Sequence, residues 1–228
     1  MPRTNTQPTL TRGDLLLTKG SFDTVTHAVI NVGQALFSFS SQGSYDFCHA
    51  AIYVGLGGAN GGTHMVAEAV GGGVSVNPME GGHTYVVFRH GDAGLAEMVA
   101  QTAWNWAMPP AGGKKMKYNF GRLATSVFSV SGLGFFGKKR VQNLSTQIGT
   151  RGAPKNCLGA TKSMICSEFA ISTWNATGYA ATKTYPILAD PTSCTPKELS
   201  NKLRSSPDWY EYNALAFAQP AAIEMAAL

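Results

Sequence analysis

Covalent chemistry at neutral pH needs a group that attacks, a group that carries a proton and a group that holds the second in place. Cys166, His49 and Glu68 are the residues of this chain whose types and settings suit those three parts. Cys166 lies in the middle of "SMICSEF", residues 163–169, and the following "AISTWNATG" reads as a helix. A helix that opens at Cys166 surrounds the thiol with unpaired N–H groups and the positive end of the macrodipole. Both favour the thiolate, which is the nucleophilic form. The same N–H groups, that of Cys166 first among them, could hold an oxyanion. The competing reading is a buried thiol that only fills space, the usual fate of an unoxidised cysteine.

A nucleophile needs a base, and the chain has five histidines. His27 falls in an early helical stretch, and His83 and His90 flank a strand; each reads as a surface or boundary residue. His64 precedes another strand. His49 opens "HAAIYVG", and "HMVAEAV" follows after the glycine-rich turn "LGGANGG". A hairpin centred near Gly58 and Ala59 sets His49 directly opposite Glu68, where Cβ atoms stand roughly 4.5–5.5 Å apart on one face. Glu68 then takes one ring nitrogen and leaves the other for the thiol, the logic of a nucleophile, a base and its orienter. A one-residue slip would undo the pairing. Glu68 interrupts an apolar strand, so its carboxylate is either solvated or paired. The plain alternative is a partly exposed ion pair with no chemical role.

The elements that must position these residues are an alternation of strands and helices. "GDLLLT" (13–18) is a strand. Residues 22–39 have helical periodicity through Phe22, Val25, Val29, Val32, Leu36 and Phe39. Segments 49–55, 64–70, 71–76 and 84–89 read as an antiparallel meander. Residues 95–107 form a helix that Pro109 and Pro110 end. The stretch 108–156 is rich in Gly, Ser and Lys and contains "GLGFFGKKR", an apolar tip with a basic flank. The Cys166 helix runs to about Asn175. In "SCTPKELSNKL", Thr195, Pro196 and Glu198 make a capping box. No internal repeat or long linker divides the chain. The expectation is one catalytic domain, 1–228, with a variable insertion at about 108–156.

These pieces together resemble the NlpC-type cell-wall cysteine peptidase superfamily in its circularly permuted, papain-like branch, which includes the lecithin:retinol acyltransferase-like proteins. "RGDLLLT" is similar to that family's opening Gly-Asp strand. "YDFCHAAIYVG" is similar to its Ser-His strand, with Cys48 where serine is common. "MVAEAVGGGVSV" resembles the strand of its third residue, "YNFGRL" its Tyr-Asp element with Asn119 in place of aspartate, and "MICSEFA" its nucleophile helix. The resemblance implies an α+β, permuted papain-like fold, an antiparallel sheet or partial barrel packed against the nucleophile helix. It implies Cys166 as nucleophile, His49 as base and Glu68 as orienting residue, with no metal or organic cofactor. It further implies a cysteine peptidase or amidase acting on peptidoglycan peptides. A lipid acyl hydrolase or acyltransferase using the same triad, and a non-catalytic binding module, stand as alternatives.

Composition bounds the rest. Hydrophobic residues make up 44% of 228 and charged ones 14%, which excludes a disordered chain. The net charge of +5 suits contact with an anionic or membrane surface and selects no specific nucleic acid. The four cysteines are too scattered for a disulfide scaffold, though a Cys157–Cys194 pair stays open. No His pair has zinc spacing. The N-terminus lacks an apolar signal core, and no run is long enough to span a membrane. The expected setting is the producer's cytoplasm or export by a specialised route, with action in a target cell's periplasm. A phage-type lysis enzyme or a toxin would fit, and a toxin implies an inhibitor or immunity protein.

Overall fold

The computed structural model of the chain describes residues 9–19, 47–58, 61–113, 115–119, 132–155 and 163–216. The helix expected over 22–39 lies outside them, as does Cys157. The described part is α+β. Six strands form one antiparallel sheet: β1 (Leu15–Lys19), β2 (Phe47–Gly57), β3 (Thr63–Val70), β4 (Gly73–Pro78), β5 (Thr84–His90) and β6 (Trp209–Ala216), in the order β4-β3-β2-β1-β5-β6. Four helices accompany it: α1 (Ala93–Ala107), α2 (Phe135–Ser145), α3 (Cys166–Thr182) and α4 (Pro196–Ser205).

Three consecutive leucines begin β1 because this strand is central and covered on both faces. Leu15 and Leu17 enter the main core with Ala50, Ile52, Ala67, Val86 and Phe88. Leu16 points the other way, into a smaller cluster with Ala51, Tyr53, Val66, Tyr85 and Val87. The Gly-Asp pair ahead of β1 has a physical cause at each position. Gly13 has φ +90°, and a Cβ there would collide with the Ala96 carbonyl of α1. Asp14, 1% exposed, takes a two-pronged bond from Arg89 of β5, Nε to Oδ1 at 2.8 Å and a terminal nitrogen to Oδ2 at 2.7 Å. The Thr11 amide adds a third bond at 2.8 Å.

Three features depart from the sequence-based expectation. Only β2, β3 and β4 form a meander; β5 leaves β4 and pairs with β1 on the far side of β2. The cysteine helix continues past Asn175 to Thr182, where Lys183 caps it in the left-handed region at φ 60°. Strand β6, absent from the expectation, extends the β5 edge. Cys194 is a free thiol, and Cys157, the other half of the bridge left open by the sequence, lies outside the described residues. The α4 capping box is present as expected, with the Glu198 amide bonded to Thr195 Oγ1 at 3.2 Å and the Thr195 amide to Glu198 Oε2 at 2.9 Å. Among the described residues, no helix is long and apolar enough to cross a membrane.

Candidate active site

Cys166 is the first residue of α3. Ile165 precedes it in extended conformation and gives no side-chain cap. The first intrahelical bond runs from the Phe169 amide to the Ile165 carbonyl at 2.9 Å, so the amides before it have no partner within the helix. The approach to Cys166 is fixed by the segment 117–119. The Met164 amide donates to the Lys117 carbonyl at 3.1 Å, and the Asn119 amide to the Met164 carbonyl at 3.3 Å. Asn119 Nδ2 also donates to Ser163 Oγ at 3.1 Å. On the other side, Ser167 Oγ donates to the Cys194 carbonyl at 2.6 Å and ties the first turn to the loop before α4. The thiol is thus carried on a short, doubly anchored stretch, and Cys166 is only 4% exposed.

His49 stands beside an irregularity in β2. Thr18 pairs with His49 but Lys19 pairs with Phe47, so Cys48 is an extra residue in the ladder. A bulge of this kind re-aims the side chains next to it. His49 Nε2 meets Glu68 Oε2 at 2.7 Å. The register differs from the expected one: Glu68 pairs with Ala51, and His49 lies one diagonal step away. The loop closes later than "GGAN" suggests, at Gly57 and Thr63, and a second irregularity falls between Tyr53 and Gly55. The net offset is two residues, which preserves the face because strands repeat every two. The contact expected between His49 and Glu68 therefore forms from a register that was not expected.

The other Glu68 oxygen is also held. Asn77 Nδ2 donates to Glu68 Oε1 at 2.9 Å and sits 3.0 Å from Ser75 Oγ. Sequence reasoning missed Asn77. Its signal was the tight Gly71–Gly72 turn, which pairs Val70 with Gly73 and so sets Ser75 opposite Glu68.

His49 Nδ1 is buried and makes no hydrogen bond of standard geometry. The imidazole and the Cys166 thiol nevertheless act on one another, each shifting the other's proton affinity. Burial pushes the Cys166 thiol up, but His49, by hydrogen bonding and charge, outweighs it, helped by the backbone N–H groups of Ala50 and Ser167; the net displacement is downward. Burial pulls His49 down, and Cys166 and Glu68 together raise it well above its ordinary value. Burial pushes Glu68 up, yet His49 and Asn77 hold it below the usual carboxylate value. All three directions favour one charge state: thiolate, imidazolium, carboxylate.

The remaining cysteines differ. Burial raises Cys48 above its usual value, although the His49 charge works against it. Burial pushes Cys194 up to about 12. Tyr118 is a further neighbour that sequence reasoning did not assign a part. Burial, and then the charge on Cys166, push its hydroxyl above the ordinary range, so it keeps its proton. His64 is engaged elsewhere, with Tyr53 Oη 2.9 Å from its Nδ1. Among the described residues, no group of three or more His, Cys, Asp or Glu is arranged to hold a metal ion.

No family model, no curated protein and no solved structure matches this chain.

Proposed function

We propose that the chain is a cysteine hydrolase that cleaves amide bonds of peptidoglycan peptides, on a permuted papain-like arrangement of its sheet and nucleophile helix. The observation that carries the reading is the line Cys166, His49, Glu68, in which a buried thiol at a helix N-terminus is lowered by a histidine that a carboxylate grips at 2.7 Å. A space-filling cysteine needs no such partner.

The reaction follows from the charge state. The Cys166 thiolate attacks the carbonyl carbon, and the C–O π pair moves onto oxygen. N–H groups at the start of α3 are the donors for that oxyanion. His49 gives its Nδ1 proton to the departing amine as the C–N bond breaks, leaving a thioester. Water then attacks the thioester, with neutral His49 taking its proton. The carboxylic acid product leaves and the ion pair is restored. Glu68 keeps the imidazole oriented and favours its protonated form, and Asn77 keeps Glu68 in place.

The substrate assignment rests on the motif resemblance and on a net charge of +5 that suits an anionic wall. Delivery as a toxin or lysis enzyme is part of the same proposal. An ester of a lipid would meet the same three groups, and the exposed Phe135 and Phe136 favour that second reading. Mass spectrometry of purified peptidoglycan and of phospholipid vesicles, each incubated with the wild-type chain and with Cys166→Ala, tests both. New muropeptide termini made only by the wild type support the first. Released fatty acid supports the second. Products of neither kind would leave a binding module as the better reading.

A further inference from the structure

Helix α2 packs through Gly137, Val141 and Leu144, all buried. Arg140 reaches Asp190 at 3.5 Å and fastens the helix to the loop after α3. Its first turn projects beyond this seat. Phe135 is 65% exposed and Phe136 79%, the latter the most exposed large apolar side chain among the described residues. Isolated exposed apolar side chains are ordinary, but two adjacent phenylalanines at a helix tip are not. Lys138 and Lys139 follow at once, and both are exposed. The segment 132–155 carries Lys138, Lys139, Arg140, Arg151 and Lys155 and contains no Asp or Glu of its own.

We propose that this tip docks on an anionic lipid surface. Phe135 and Phe136 would enter the boundary between headgroups and acyl chains, while Lys138 and Lys139 keep their ammonium groups among the phosphates. A glycan fits the geometry less well. Stacking on a sugar needs a free flat ring face, and Lys139 Nζ stands 4.5 Å over the Phe135 ring. The two rings are edge to face, 5.7 Å apart at 75°, so they form a wedge rather than a platform. The charge of the segment selects anionic over neutral headgroups. Nothing in this surface depends on Cys166, so it stands apart from the catalytic reading.

The test is co-sedimentation of the full chain with large vesicles of phosphatidylglycerol and phosphatidylethanolamine, or of phosphatidylcholine alone, at low and high salt. The wild type is expected to bind the anionic vesicles several-fold better. F135S/F136S is expected to lose binding by about tenfold or more, since two large apolar side chains no longer leave water. K138Q/K139Q is expected to weaken binding several-fold and to remove most of its salt dependence. Phe136→Trp gives a second readout that does not rely on a double variant, a blue shift of the added tryptophan's emission on anionic vesicles. The proposal fails if the wild type does not bind, if F135S/F136S binds as well as wild type, or if Phe136→Trp emission does not move. It also fails if light scattering finds a dimer that F135S/F136S dissolves, because a second copy would then cover the tip.

Discussion

Glu68 sits one diagonal step from His49 across the β2–β3 ladder, yet its Oε2 reaches His49 Nε2 at 2.7 Å while Oε1 accepts from Asn77 at 2.9 Å. Both oxygens are therefore committed to donors, and Nδ1 is left as the ring nitrogen without a hydrogen bond. Glu68→Gln keeps one acceptor for His49, and the Asn77 amide can turn over to accept from the new NH2 group. What it loses is charge. The expected fall in turnover is about ten- to a hundredfold, against complete loss in Cys166→Ala. Adding Glu68→Gln to Cys166→Ala should change little, because the groups act as one unit.

Asn77 gives a sharper test of the same geometry. Asn77→Ala removes one bond to a charged oxygen and should cost about tenfold in turnover, with the melting temperature close to wild type. Asn77→Asp should be worse, because two carboxylates then abut and one must take up a proton. Glu68→Gln added to Asn77→Asp should recover activity relative to Asn77→Asp alone, a coupling of about 1–2 kcal/mol. Simple additivity in that cycle would mean Asn77 does not act through Glu68.

The pH dependence has a definite sign. The proposed mechanism needs Cys166 deprotonated and His49 protonated, so it predicts a working range between a lowered thiol value and a raised imidazole value. Glu68→Gln should pull the alkaline limb of kcat/KM down, since it removes a charge that holds the proton on His49. Stability follows the same linkage. The His49 contribution is full below its unfolded value of 6.5 and is lost as pH rises through the higher folded value. The Glu68 contribution is full above 4.5 and is lost as pH falls through its lower folded value. Melting temperatures from pH 3 to 10, compared between wild type and Glu68→Gln, read both limbs. An alkaline limb that does not move would detach Glu68 from the imidazole.

Asp14 is almost completely buried, and Arg89 supplies two of its bonds. Arg89→Ala would leave that carboxylate without its cation and should cost about 2–3 kcal/mol. The lower part of the usual range applies because the Arg89 side chain is 25% exposed. Urea unfolding should show a lower midpoint at an unchanged slope. A loss under about 0.5 kcal/mol, the size of an ordinary surface substitution, would mean the pair is idle.

Local chemistry was legible in the sequence, and long-range placement was not. The Thr195 capping box and the leucine run of β1 follow from rules that act within a few residues, and both are present. The contact between His49 and Glu68 survived an error in register because the error was an even number of residues. The pairing of β5 with β1 rather than β4 depends on tertiary packing that no local pattern encodes. The same holds for β6, which is positioned by its pairing with β5. Helix α3 outlasts its expected end because its buried polar residues Thr173, Asn175 and Thr177 find hydrogen-bond partners there. Thr173 Oγ1 bonds the Phe169 carbonyl, and Asn175 exchanges two bonds with the backbone of Ile187. Asn77 was hidden because it acts on Glu68 from the neighbouring strand, two residues out of direct register.

The central claim is that His49 holds Cys166 as a thiolate. The rate of iodoacetamide alkylation at Cys166, followed by peptide mass from pH 4 to 10, measures this directly. The thiol should react before Cys48 and Cys194, with an inflection below the ordinary thiol value of about 8.5. In His49→Ala the inflection should move up, past that ordinary value, because only burial then remains to oppose the N–H groups of Ala50 and Ser167. An inflection at or above about 8.5 in the wild type, unchanged in His49→Ala, would contradict the account.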